Sequence, residues 1–183
     1  MTGRPSSLSL VLVALALGAA VAGCGRDRTP RRVPDDGAPC SAIMPGDAKS
    51  GEQAVRLESV ALTERSWVVL PPESTDDGPK DITTYVLRRG VVPTGSALRD
   101  AALLDAAAAR AARGIALQDG TKPSVAKVST GAGDAVELRW ATGTRHNATR
   151  FFLVPEGYCE VTILRAGGDS AVASYFASAQ ARP

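Results

Sequence analysis

The chain has one histidine, three cysteines and 19 acidic residues, and their spacing limits the chemistry open to it. His146 lies in Gly143-Thr-Arg-His-Asn147, flanked by Arg145 and, a little further on, Arg150. A catalytic triad or a histidine-built zinc site would need it, yet no GxSxG, HExxH or CxxC accompanies it. The segment reads as a surface loop with a small basic rim. Ser124 and Lys127 have the spacing that sets a nucleophile and its base on one turn of a helix. Pro123 and the β-branched surroundings predict a strand instead, where residues three apart point to opposite faces. Gly131-Ala-Gly133 lacks the GK[ST] ending of a phosphate loop and reads as a hairpin turn. Asp76-Asp77, with Glu73 and Asp81, supply oxygen ligands of the calcium type, but fit no EF-hand spacing and read as a solvated acidic loop. That leaves Glu137 and Glu160, on separate predicted strands, as the carboxylate pair open to acid–base work. Trp67 and Trp140 read as core. The reading is of a chain with no catalytic residues, no metal site and no cofactor.

The elements that must position these groups are legible from periodicity. Arg56–Thr63 alternates as an irregular strand, Trp67–Leu70 is an apolar run stopped by Pro71-Pro72, and Ile82–Leu87 is rich in β-formers. Ser96 is placed to cap a helix over Ala97–Arg113, with Gly114 just beyond its end. Ala97, Ala101, Leu104, Ala108, Ala111 and Ile115 share one face, which is mostly alanine and suits close approach to a sheet. Arg99, Asp100, Arg110 and Arg113 fall on the other. Two hairpins follow. Ser124–Ser129 and Ala135–Thr142 flank Thr130-Gly-Ala-Gly-Asp134, and Thr149–Val154 and Tyr158–Leu164 flank Pro155-Glu-Gly157. Asp169 or Ser170 then caps a last helix to about Gln180, with Val172, Tyr175, Phe176 and Ala179 on its buried side. Strands, helix, four-strand meander and helix imply an α+β domain: a mainly antiparallel sheet with two helices packed on it.

The N-terminus reads as an address. Arg4 precedes the apolar stretch Leu8–Leu17, which has the length of a signal h-region and is too short for a membrane span of about 20 residues. It ends in Val21-Ala22-Gly23-Cys24, which resembles the lipobox of bacterial lipoproteins: apolar, small, small, cysteine. That resemblance implies a signal peptide over 1–23 and a diacylglyceryl thioether on Cys24. It also implies anchorage on the extracytoplasmic face of the cell membrane. Two acyl chains pass the threshold for stable anchoring. Gly25–Pro39, with three prolines and seven charges, reads as a flexible tether over 24–39. The folded domain then spans 40–183. With Cys24 lipidated, Cys40 and Cys159 remain in an oxidising compartment, where a disulfide is the default.

Composition narrows the classes further. The net charge of +2 is carried by the export signal and tether, and the domain from Cys40 onward is neutral, which excludes a strongly basic nucleic-acid binder. Aromatics are only 4%, so the expected core is aliphatic. Arginine outnumbers lysine 17 to 4, which resembles the usage of high-GC bacteria such as actinomycetes. The element order is similar to the PsbP-like α/β/α sandwich that some bacterial lipoproteins share. The function expected is a membrane-anchored module in the cell envelope that binds a small ligand or an envelope protein. The alternatives are a hydrolase or transferase working through Glu137 and Glu160, and a structural envelope protein.

Overall fold

Strand periodicity dominates the chain, and the computed structural model, which describes residues 29–34, 37–70, 83–131 and 133–181, is correspondingly rich in strands. In chain order its elements are β1 (Pro30–Val33), β2 (Cys40–Pro45), β3 (Lys49–Leu57), β4 (Val60–Val69), β5 (Thr84–Val91) and α1 (Asp100–Asp119), followed by β6 (Ser124–Thr130), β7 (Gly133–Thr142), β8 (Arg145–Val154), β9 (Gly157–Ala166), α2 (Asp169–Ser178) and β10 (Gln180–Ala181). Seven strands form one antiparallel sheet in the order β3-β4-β5-β9-β8-β7-β6. A small second sheet has the order β1-β2-β10. The fold is α+β, as the element order implies.

Each face of the large sheet carries its own core. On one face, α2 and the small sheet cover Trp67, Leu87, Phe152, Val161 and Ile163, with Met44, Val172, Tyr175 and Phe176 pressed onto them. On the other, α1 covers Leu62, Val136, Leu138, Phe151 and Tyr158 with Leu103, Leu104 and the buried Ala106-Ala107-Ala108 run. Burying each large side chain contributes roughly 1.5–3 kcal/mol. Seven of the eight aromatics are buried, and the eighth, Tyr85, meets Tyr175 edge-on at 5.0 Å. The core therefore uses aliphatic residues and nearly all of the few aromatics.

Three boundaries differ from the sequence reading. Pro30–Val33, expected within the tether, is a strand paired with β2 from Pro30 opposite Pro45 to Val33 opposite Ala42. Val33 is buried, and the Arg32 guanidinium donates to Ser41 Oγ at 3.1 Å and to the Ser178 carbonyl at 3.2 Å. These local partners are invisible in the averaged polarity of the segment, and they move the start of the folded unit ahead of Cys40. The irregular strand expected at Arg56–Thr63 is the tip of a hairpin. Its turn is Glu58-Ser59, with Glu58 at φ +50. The long helix starts at Asp100, not Ala97. Ser96 Oγ accepts from the Leu98 N–H at 3.2 Å in the turn ahead of it. Gly114 lies inside the helix, which continues to Gly120 at φ +65, because partly buried Ala112 and Ile115 hold that last stretch on the sheet.

Candidate functional site

The disulfide between Cys40 and Cys159 is present, with the Cα atoms 6.1 Å apart. It joins the start of β2 to β9, the central strand of the large sheet. Both cysteines are 1% exposed, so the bond lies inside the core under α2.

The carboxylate pair expected from sequence does not form. Glu137 is opposite Arg150 and Phe151 is opposite Glu160, so the alternation of side chains puts the two glutamates on opposite faces of the sheet. Each is committed elsewhere. Glu137 accepts from Arg139 Nε at 2.5 Å and from Arg150 Nε at 2.8 Å. Burial alone would raise its pKa, but hydrogen bonds from Arg139 and Arg150 outweigh that and hold the carboxyl below the ordinary range. Arg150 also lies over the Phe176 ring, 4.3 Å from its centroid. Glu160 accepts from Arg88 at 2.5 Å and from Thr162 Oγ1 at 2.9 Å.

The carboxylate that does share a face with Glu160 is Glu64, which the sequence reading passed over. Glu64 is opposite Gly90, and Gly90 is opposite Tyr158, two residues before Glu160 on β9. Its side chain is 2% exposed and accepts from Arg110 at 2.6 Å, from Gln53 at 3.0 Å and from the Tyr158 hydroxyl. Burial would again raise the pKa. Hydrogen bonds from Arg110 and Tyr158, together with the Arg110 charge, hold it low. Tyr158 is pushed up, chiefly by burial and then by the Glu64 charge. Its ring lies directly over Gly90, where a Cβ would come within 2.3 Å of it. The missing side chain at Gly90 is what lets the tyrosine reach across β5 to Glu64. A signal for Glu64 exists in the sequence, since it keeps the alternation of Leu62. Arg110, assigned to the outer face of the helix, sits at its flank instead and turns in to the carboxylate.

The remaining sequence candidates are dispersed. His146 is half-exposed at the β7–β8 hairpin, with Nδ1 3.1 Å from Asp169 Oδ1, and Arg139 donates to the same oxygen at 3.2 Å. Ser124 Oγ donates to the Arg139 carbonyl, while Lys127 pairs with Asp105, so the two sit on opposite faces of β6 and make no nucleophile–base pair. Gly131 is in the β6–β7 turn. Trp67 and Trp140 are both buried, on opposite faces of the sheet, and Trp140 Nε1 donates to Asp119 at 2.7 Å. Glu73, Asp76, Asp77 and Asp81 lie outside the described residues, as does Cys24. Among the described residues, no group of three or more His, Cys, Asp or Glu gathers as metal ligands do.

Among the described residues, one cleft of about 810 Å³ opens at the end of the sheet where β5 runs into the loop before α1. Val91, Leu98, Leu103 and Leu153 give it an apolar lining, and Arg99 and Glu156 contribute charge. No family model, curated protein or solved structure matches this chain.

Proposed function

We propose that the protein is a lipid-anchored lipoprotein of the cell envelope, made with a signal peptide over 1–23. Its folded domain binds a small ligand or a partner protein on the extracytoplasmic face without catalysing a reaction. One observation carries this reading. The Cys40–Cys159 disulfide, of the kind that persists in an oxidising compartment, accounts for two of the three cysteines, and the third is Cys24 of Val21-Ala22-Gly23-Cys24. The helix–sheet–helix layering is also what resemblance to a PsbP-like sandwich implies, although layering says nothing about function.

The non-catalytic reading has its own support. A general base needs an available carboxylate near the reacting group. Glu64, Glu137 and Glu160 are each neutralised by arginine and held by further hydrogen bonds. The hydrolase or transferase alternative loses its pair, because the sheet separates Glu137 from Glu160. Binding falls to the cleft at the β5 end, whose apolar walls suit a ligand with hydrocarbon character. Metabolic labelling with an alkyne palmitate tests the anchor. Label should appear on the wild-type protein and vanish in Cys24→Ser, whereas equal labelling of both would overturn the reading.

A further inference from the structure

The N-terminal segment bears on how an anchored domain would sit on a membrane. β1 is fastened to the fold at four points. It pairs with β2 along its length, Val33 enters the core, Arg32 bonds Ser41 and Ser178, and Arg31 pairs with Asp47 at 3.0 Å. The disulfide then ties β2 to the central strand β9. A pull applied at Pro30 therefore passes through β1, β2 and the disulfide into the middle of the large sheet. Only six Cα steps separate Cys24 from Pro30, a reach of at most about 22 Å. A free tether up to Cys40 would have allowed roughly 55 Å.

The register also says which end is held. β2 starts at Cys40, bonded to Cys159 and so level with Arg89. It runs toward residues 46–48, which lead into Lys49 opposite Val68. Lys49 is level with Val86 through Val68, three residues along β5 from Arg89, so β2 and the residues after it run about 10 Å toward the end of the sheet where β4 finishes and β5 begins, with Pro30, opposite Pro45, on that side of the disulfide. The 810 Å³ cleft lies at the other end, where β5 finishes at Val91 and β9 begins at Gly157. The level of Lys49, that of Val86, is five residues from Val91, roughly 17 Å along the strand.

We propose that the lipid on Cys24 holds the domain on a short leash, with the Pro30–Lys49 end against the bilayer and the cleft turned away from it. The inference rests on the anchored reading above. Its partner is a lipid surface, met by one defined end of the molecule, and the cleft is thereby presented to molecules arriving from the aqueous side.

The test uses acylated protein purified from membranes and reconstituted in phosphatidylcholine vesicles bearing a short-range metal quencher on the headgroups. A fluorophore is introduced through an unnatural amino acid at Lys49 or, separately, at Thr94 beside the cleft. Intact mass first establishes whether the diacylglyceryl group is on Cys24. With the lipid present, quenching at position 49 should exceed that at 94 about threefold or more, since the two differ by most of a strand length in height. Inserting a flexible spacer of about 15 Gly/Ser residues before Thr29 should bring the two toward equality. Equal quenching in the parent protein, or a difference that the spacer leaves unchanged, overturns the leash while leaving the anchor standing. A mass without the lipid overturns the anchored reading and the leash together.

Discussion

Glu64 is the residue on which the α1 face of the sheet turns. A carboxylate 2% exposed is tolerable only because Arg110, Gln53 and Tyr158 surround it, and removing one partner of such a pair leaves a buried charge uncompensated. Arg110 itself is about a third exposed, so water softens the loss. Arg110→Met should destabilise the fold by about 2 kcal/mol, read from urea midpoints at pH 7. The pH dependence has a definite sign. Glu64 and Glu137 have folded pKa values below their unfolded ones, so their stabilisation is complete above an unfolded value of about 4.3 and is lost as pH falls through the folded values. Stability should therefore drop below about pH 4 in the wild type, and the Arg110→Met gap should narrow there. A gap constant from pH 7 to pH 3 would remove Glu64 from the account. Gly90→Ala is a purely steric test of the same cluster. Its Cβ would meet the Tyr158 ring at 2.3 Å, and displacing a packed ring costs about 1–3 kcal/mol. An unchanged urea midpoint would mean the ring moves freely.

At the scale of elements, β6, β7, β9 and most of β8 were legible because they alternate and are divided by turn signals such as Pro155-Glu-Gly157. Strand β8 begins at Arg145, ahead of the expected Thr149, across a register shift between His146 and Ala148. Helix α2 was legible from its helical period after Gly167-Gly168. The elements that were missed lack either the period or the turn signal. β1 holds two arginines and a proline in four residues, and becomes a strand only through Ser41 and the edge of β2, which lie nearby in sequence, and through the distant Ser178. The β3–β4 hairpin turns at Glu58-Ser59, with Glu58 in a left-handed conformation where glycine or asparagine would have announced a turn. Gly114 looks like a helix end because only the local cost of about 1 kcal/mol is visible in sequence, not the packing of Ile115 beyond it. Pairing of Cys40 with Cys159 was legible, since the cysteine count and the oxidising compartment that the lipobox resemblance implies suffice to argue it. The disulfide closes a loop of 119 residues, which in the chain-entropy description corresponds to as much as about 5 kcal/mol. Reduction, or the double variant Cys40→Ala with Cys159→Ala, should lower the urea midpoint accordingly. β1 amides should also lose hydrogen-exchange protection ahead of those of β8. Uniform loss across the sheet would mean the disulfide does not specifically hold the small sheet.

For the whole molecule, the candidate site was the least legible feature. Glu137 and Glu160 belong to strands that are both correctly placed in sequence, but whether two residues share a face depends on register across β8, which no local pattern fixes. The open cleft depends on how the β5–α1 loop and the β8–β9 turn converge, and neither carries a ligand-binding motif. The account therefore rests on an anchor at one end of the strands and a cleft at the other, with the anchor as its first claim. Intact mass spectrometry of the protein extracted from its own membranes tests that claim most directly. The account predicts a chain beginning at Cys24 and carrying a diacylglyceryl thioether, with Cys40 and Cys159 unreactive to alkylation before reduction. A mature chain starting at another residue, or an unmodified Cys24 thiol, would contradict it.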